Sequence, residues 1–156
     1  MSERQLVVFS IDDKLYGIEI AHVSSIEKPS EMHSIPNTPE FIEGLMNLRG
    51  KVYTVFNLRE RFGISDKAFD DETKIIMVNK GSSTIGFIID KVNEIINVNE
   101  KDISNLPDVL DNLKNKFVNS VVTIGEKTIC LLDLDKTFTI SDEDNEAFIK
   151  SHSKVK

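Results

Sequence analysis

Leu15-Tyr16-Gly17-Ile18-Glu19-Ile20-Ala21-His22-Val23-Ser24-Ser25-Ile26 lies without a gap over Thr84-Ile85-Gly86-Phe87-Ile88-Ile89-Asp90-Lys91-Val92-Asn93-Glu94-Ile95. Gly17/Gly86, Ile20/Ile89, Val23/Val92 and Ile26/Ile95 are identical, and in the same register Leu6-Val7-Val8-Phe9 falls on Ile75-Ile76-Met77-Val78. After a longer insertion in the second copy, residues 41–62 lie over residues 117–138, again without a gap. Phe41/Phe117, Lys51/Lys127, Leu58/Leu134 and Phe62/Phe138 are identical, while Ile42/Val118, Leu45/Val121, Leu48/Ile124, Val55/Leu131 and Phe56/Leu132 stay apolar. Ile35-Pro36 and Leu106-Pro107 punctuate the two copies at similar points. The same elements in the same order, twice, mark an internal duplication with copies at about residues 6–63 and 75–138.

Each copy reads as short strands. Tyr16-Gly17-Ile18-Glu19-Ile20 alternates apolar with small or polar, the period of a half-buried strand. Asp12-Asp13-Lys14 and Gly81-Ser82-Ser83 supply a hairpin turn just before that strand in each copy. A second hairpin turns at Arg49-Gly50 and again at Gly125-Glu126, where glycine takes positive φ without steric cost. Asn57 and Asp133 then stand as N-caps of short helices, with Leu58/Phe62 and Leu134/Phe138 four residues apart on one side. Gly63 is placed to end the first helix. A further helix is expected over 107–113, Pro107 suiting its first turn, and the charged tail from Ser141 to Lys156 is expected to hold at most a short helix.

Short strands with turn signals every eight to twelve residues argue for barrels or sandwiches rather than parallel α/β layers. Two copies imply two small barrels, each too small to be comfortable alone, so the lobes pack on each other as one domain over residues 1–140. The groove between them is the default binding surface.

At 156 residues, 40% hydrophobic and 29% charged, the composition is that of a soluble globular protein. Nothing approaches eighteen consecutive apolar residues, and Met1-Ser2-Glu3-Arg4 runs into Leu6-Val7-Val8-Phe9 without a signal peptide's pattern, so a cytoplasmic location without membrane insertion is expected. The lone Cys130 excludes an intramolecular disulfide, and its apolar neighbours predict a buried, inert thiol. With 19 basic against 26 acidic residues, net −7, a polyanion is repelled overall, so nucleic-acid binding is not expected.

Chemistry is scarce. His22, His33 and His152 are far apart and match no metal-ligand spacing, and no nucleophile elbow, phosphate loop or dinucleotide fingerprint is present. Asp70-Asp71-Glu72 and Asp142-Glu143-Asp144 read as solvated loop carboxylates, and Asp90 as a structural hydrogen-bonding group. No enzyme, metal site or cofactor is expected, which favours an interaction protein.

One segment stands apart from ordinary loop material: Ile35-Pro36-Asn37-Thr38-Pro39-Glu40-Phe41-Ile42-Glu43-Gly44-Leu45-Met46-Asn47-Leu48-Arg49-Gly50. It resembles the signature of the CheW family, a P-x-x-P-x-x-[IV]-x-G stretch running into N-L-R-G. Val52-Tyr53-Thr54-Val55-Phe56-Asn57-Leu58-Arg59 is similar to the family's apolar strand and D-L-R helix start, and Gly86-Phe87-Ile88-Ile89-Asp90-Lys91-Val92 to its G-x-x-V-D-x-V. The resemblance covers about residues 5–140. It implies a mainly β fold of two intertwined, five-stranded SH3-like barrels with a few short helices. It also implies an adaptor coupling methyl-accepting chemoreceptors to the histidine kinase CheA, by binding the receptor's cytoplasmic tip and the kinase's regulatory domain.

Carried over residue by residue, the resemblance assigns Gly44, Asn47 and Arg49 to the receptor, at the edge of the inter-lobe groove, with Ile75 and Ile89 as apolar groove wall. Gly44 reads equally as a packing glycine, and Ile75 and Ile89 equally as plain core. Val23-Ser24-Ser25-Ile26 matches the kinase-facing segment, commonly V-x-E-I, so Val23, Ser25 and Ile26 are expected at that contact. Here Ser25 replaces the acid and Glu27 stands two residues on. Val109, in Pro107-Asp108-Val109, matches a second kinase-side contact or else covers the barrel. Competing readings are a regulatory domain excised from a CheA-type kinase, a regulatory module of a non-motility pathway, and a small-ligand or oligonucleotide-binding barrel.

Overall fold

The computed structural model describes residues 3–106 and 117–140. The expected helix at 107–113, the contact assigned to Val109, His152 and the tail from Ser141 lie outside them. The chain runs β1 (Glu3–Ile11), β2 (Lys14–Glu19), β3 (Val23–Glu27), β4 (Met32–His33), β5 (Ile42–Leu48), β6 (Lys51–Asn57) and α1 (Leu58–Arg61). It then repeats that order as β7 (Lys74–Lys80), β8 (Ser83–Ile89), β9 (Lys91–Asn99), β10 (Ile103–Asn105), β11 (Val118–Ile124), β12 (Lys127–Leu132) and α2 (Leu134–Phe138).

The turns follow the chemistry of their residues. Asp12 and Asp13 both take positive φ, as do Arg49 and Gly50, the requirement of two-residue turns that match strand twist. The Asn57 side chain accepts from the Glu60 N–H and the Asp133 side chain from the Lys136 N–H, so both short helices are capped at the expected positions. Gly63, at φ 76, follows the first helix in the left-handed region.

The sheets do not follow the copies. Lobe one is the sheet β3-β7-β8-β6-β5-β4, and lobe two is β10-β11-β12-β2-β1-β9. Each lobe therefore borrows the first hairpin of the other copy. The seams are parallel: β6 pairs with β8 (Val55 opposite Gly86) and β12 with β2 (Leu131 opposite Gly17). A Cβ on Gly86 would stand 2.8 Å from Ile75 Cγ2 and 3.1 Å from Met77 Sδ. The glycine that repeats in the sequence thus marks the seam where there is no room for a side chain. Among the described residues each sheet holds six strands, the expected five together with a two- or three-residue edge, β4 in one and β10 in the other.

Exchange of hairpins explains why Leu6–Phe9 and Ile75–Val78 are apolar without alternation. In β1, Val7 and Phe9 enter a core shared between the lobes, while Leu6 and Val8 enter lobe two's own interior. In β7, Ile76 and Val78 face the shared core and Ile75 and Met77 the interior of lobe one. A strand buried on both faces has no polar face to alternate with. Arg61 closes the join: its guanidinium lies 4.0 Å from the Phe41 ring centroid and 4.8 Å from that of Phe117, the repeat partner of Phe41. Its Nη2 donates to the carbonyls of Lys136 and Thr139 at the end of α2.

Candidate functional site

The β5–β6 turn carries the most exposed of the expected contact residues. Arg49 sits at φ 53, an uncommon conformation for a non-glycine residue, followed by Gly50 at φ 85. Asn47 holds the turn: its Oδ1 accepts the Gly50 N–H at 3.1 Å. The N-L-R-G letters therefore have a local cause, with asparagine bracing the turn, glycine completing it and arginine presented at its tip. The Arg49 side chain is 73% exposed and its Nη1 donates to Glu27 Oε2 at 3.3 Å.

Glu27 ends β3, an edge strand of lobe one opposite the edge formed by β4. β3 hydrogen-bonds to β7 on one side only, with a bulge at Ser24 where the register steps from Val23 opposite Val78 to Ser25 opposite Met77. Its other edge has no strand partner among the described residues, an edge open to a second chain. Along it Ile26 is 38% exposed, Ser25 is half-buried, and Val23 is half-buried against the shared core. A space of about 310 Å³ separates β3 from the hairpin, lined by Ser24, Ser25, Arg49, Lys51, Tyr53 and Thr84 among others. Arg49 and one of the kinase-assigned residues of β3, Ser25, thus share one notch, which Val23 and Ile26 do not line. The notch is built within lobe one, not at the edge of a groove between lobes as expected.

Three expected site residues present no such surface. Ile75 and Ile89 are 0% and 1% exposed, so they are core and not groove wall. They lie on strands covered on both sides, which their apolar character alone could not distinguish from a lining position. Gly44 is buried at φ 149, and a Cβ there would fall 2.5 Å from the His33 carbonyl oxygen. Its smallness serves the close approach of β4 to β5.

A larger space of about 750 Å³ lies where the lobes meet, bordered by Arg4, Glu19, Lys80, Glu100 and Asp135. Its charges are already matched: Arg4 bonds Glu19 at 3.0 Å and Glu100 at 2.9 Å, and Lys80 bonds Asp135 at 2.7 Å. None of the expected contact residues lines it.

Asp90 is a hydrogen-bonding group whose partner the sequence did not reveal. Arg59 Nε and Nη2 donate to its two oxygens at 2.8 and 2.6 Å, and the Asp12 N–H to Oδ2 at 2.9 Å. Burial raises the carboxyl's pKa, yet the Arg59 guanidinium and the Asp12 N–H outweigh it and leave it below the usual range. Cys130 is half-buried rather than fully buried, and burial pushes its thiol up, away from nucleophilic use. No group of His, Cys, Asp and Glu suited to a metal ion occurs among the described residues, and no helix there is long and apolar enough to cross a membrane.

These features coincide with known proteins over nearly the whole chain. Residues 5–141 match the family model described as a CheW-like domain. A chemotaxis protein CheW of Treponema pallidum is 30% identical over 139 residues, covering 86% of this chain and 82% of its own. That of Klebsiella aerogenes is 28% identical over 152 residues, covering 96% and 90%. Among solved structures, the scaffolding protein TtCheW of Thermoanaerobacter tengcongensis superposes with a TM-score of 0.83 at 35% identity, over 90% of this chain and 95% of that one. With its duplicated order of strands, exchanged hairpins and braced N-L-R-G turn, this chain belongs to the CheW-like family.

Proposed function

We propose that the chain is a chemotaxis adaptor that holds a chemoreceptor's cytoplasmic tip and the regulatory domain of a CheA-type histidine kinase at the same time. It works by binding rather than by catalysis. The Arg49 turn takes the receptor, and the β3 edge with Ile26, Ser25 and the exposed rim of Val23 takes the kinase. One observation carries the reading: Arg49, the exposed tip of a turn that favours smaller residues, is ion-paired with Glu27 at the end of β3, whose outer edge has no strand partner among the described residues. Two surfaces that share an ion pair bias each other, because whatever recruits Arg49 releases Glu27.

Simultaneous binding raises the effective concentration of receptor and kinase and lets each contact be small, about 1,200 Å² or less in total. The adaptor then works in the cytoplasm and reaches membrane arrays through its partners. The test is to mix the purified chain with a CheA-type regulatory domain and with a receptor cytoplasmic fragment. Binding to both, with kinase activity responding to receptor only when all three are present, supports the adaptor role. Binding to neither removes it.

A further inference from the structure

The duplication makes lobe two a template for lobe one. Ser25 and Glu94 occupy the same position of the overlaid copies, each directly after a bulge in an edge strand, at Ser24 in β3 and at Asn93 in β9. Lys51 and Lys127, also repeat partners, open β6 and β12. In lobe two these positions are joined: Lys127 Nζ donates to Glu94 Oε2 at 3.0 Å, tying the edge strand to the hairpin. In lobe one the strand offers serine instead. Lys51 is exposed and makes no ion pair among the described residues.

A second cation stands on the same rim. Arg49 has Gly125 as its repeat partner, so the charge is peculiar to lobe one. Glu27 is the acid that answers it, leaving two cations against one carboxylate in a molecule whose net charge is −7. Ser24, Ser25, Tyr53 and Thr84 add hydroxyl groups around the space. At about 310 Å³ that space is at the bottom of the range of small-molecule sites and ample for one side chain.

We propose that the notch between β3 and the β5–β6 hairpin accepts the carboxylate of an Asp or Glu side chain from the partner protein that docks on β3. That carboxylate takes, between molecules, the place that Glu94 fills within lobe two, with Lys51 as its counter-ion and the Ser25 hydroxyl beside it. The inference rests on β3 being the docking edge for the kinase regulatory domain. An exposed pair of this kind contributes register and partner choice more than affinity.

The decisive variant is Ser25→Glu, which builds into lobe one the pair that lobe two already has. Glu94 shows that the fold tolerates an acid there, so the melting temperature should hold. Two titrations of the full chain are compared at low salt, one with a capped tetraglutamate peptide followed by amide NMR shifts, one with the kinase regulatory domain. In the wild type the peptide should shift Ser24, Ser25 and Lys51, and tetralysine should not. Ser25→Glu should abolish those shifts and weaken the regulatory domain about three- to fivefold, the effect of one exposed pair. Ser25→Gln, which fills the position without the charge, should keep the Lys51 shift and weaken the regulatory domain less than Ser25→Glu does, and Lys51→Met should reproduce the losses without touching β3. Peptide shifts elsewhere, or equal binding of the regulatory domain by wild type and Ser25→Glu, overturn the proposal while the docking reading stands. If the domain does not bind the wild type at all, the docking reading falls and the peptide titration alone decides the notch.

Discussion

Arg49 Nη1 stands 3.3 Å from Glu27 Oε2, so the tip of the β5–β6 hairpin is tied to the end of edge strand β3. The arginine is mostly in water, and an ion pair so exposed contributes less than about 1 kcal/mol. Its value lies in position: it joins the two surfaces assigned to receptor and kinase.

Replacing Arg49 should therefore disturb binding and not folding. Arg49→Gly suits the left-handed turn better than arginine does, and Arg49→Ala removes the charge at similar backbone cost. Both should melt within about 1 kcal/mol of wild type and lose pull-down of a receptor fragment. Unchanged receptor binding in both would remove Arg49 from the contact.

The kinase edge is best probed at Ile26. Val23 packs partly on the shared core, so a charge there confounds binding with stability. Ile26→Glu places the charge on an exposed position of β3 and should weaken the regulatory domain by about tenfold or more while sparing the receptor fragment. Equal loss of both, with a lowered melting temperature, would assign Ile26 to the fold.

Arg59 and Asp90 predict an acid-labile contribution to stability. The Asp90 carboxyl titrates below its unfolded value, so its contribution is present above about pH 4 and is lost as pH falls through the folded-state value. Asp90→Asn should cost about 1–3 kcal/mol at neutral pH, because Arg59 loses its carboxylate partner. Urea denaturation at pH 7 and pH 3 should show the gap between variant and wild type narrowing in acid. A gap that is constant with pH would mean that the pair contributes nothing ionic.

Gly44 separates fold from contact. Gly44→Ala brings a Cβ against the His33 carbonyl and strains a backbone at φ 149, so a loss of about 1–3 kcal/mol is expected by thermal melting. A variant that keeps wild-type stability but loses receptor binding would return Gly44 to the contact surface.

Asn57 and Asp133, Gly63, and the turns at Asp12-Asp13 and Arg49-Gly50 were legible because caps and tight turns depend on a few adjacent residues. For Ile75 and Ile89 the sequence left groove wall and core both open, for the complementary reason. An apolar residue on a strand can line a groove or fill a core, and only the neighbours on both faces decide. The acid opposite Arg49 was visible as Glu27, but that the two meet is a fact of β3 lying beside the hairpin.

By itself the sequence determined the list and order of elements, twice over, because period-two alternation, turn residues and caps act over a few positions. It also set the two glycines at the seams and the acidic balance of the chain. Only the tertiary structure decided which strands pair. β2 joins β12 and β6 joins β8 through parallel contacts, each between strands of different copies, and these close only when apolar side chains on both faces of β1 and β7 are buried together. Among the described residues the same packing leaves the outer edge of β3 without a strand partner and Lys51 without the carboxylate that Lys127 has, because a side chain's partners come from strands far away in the sequence.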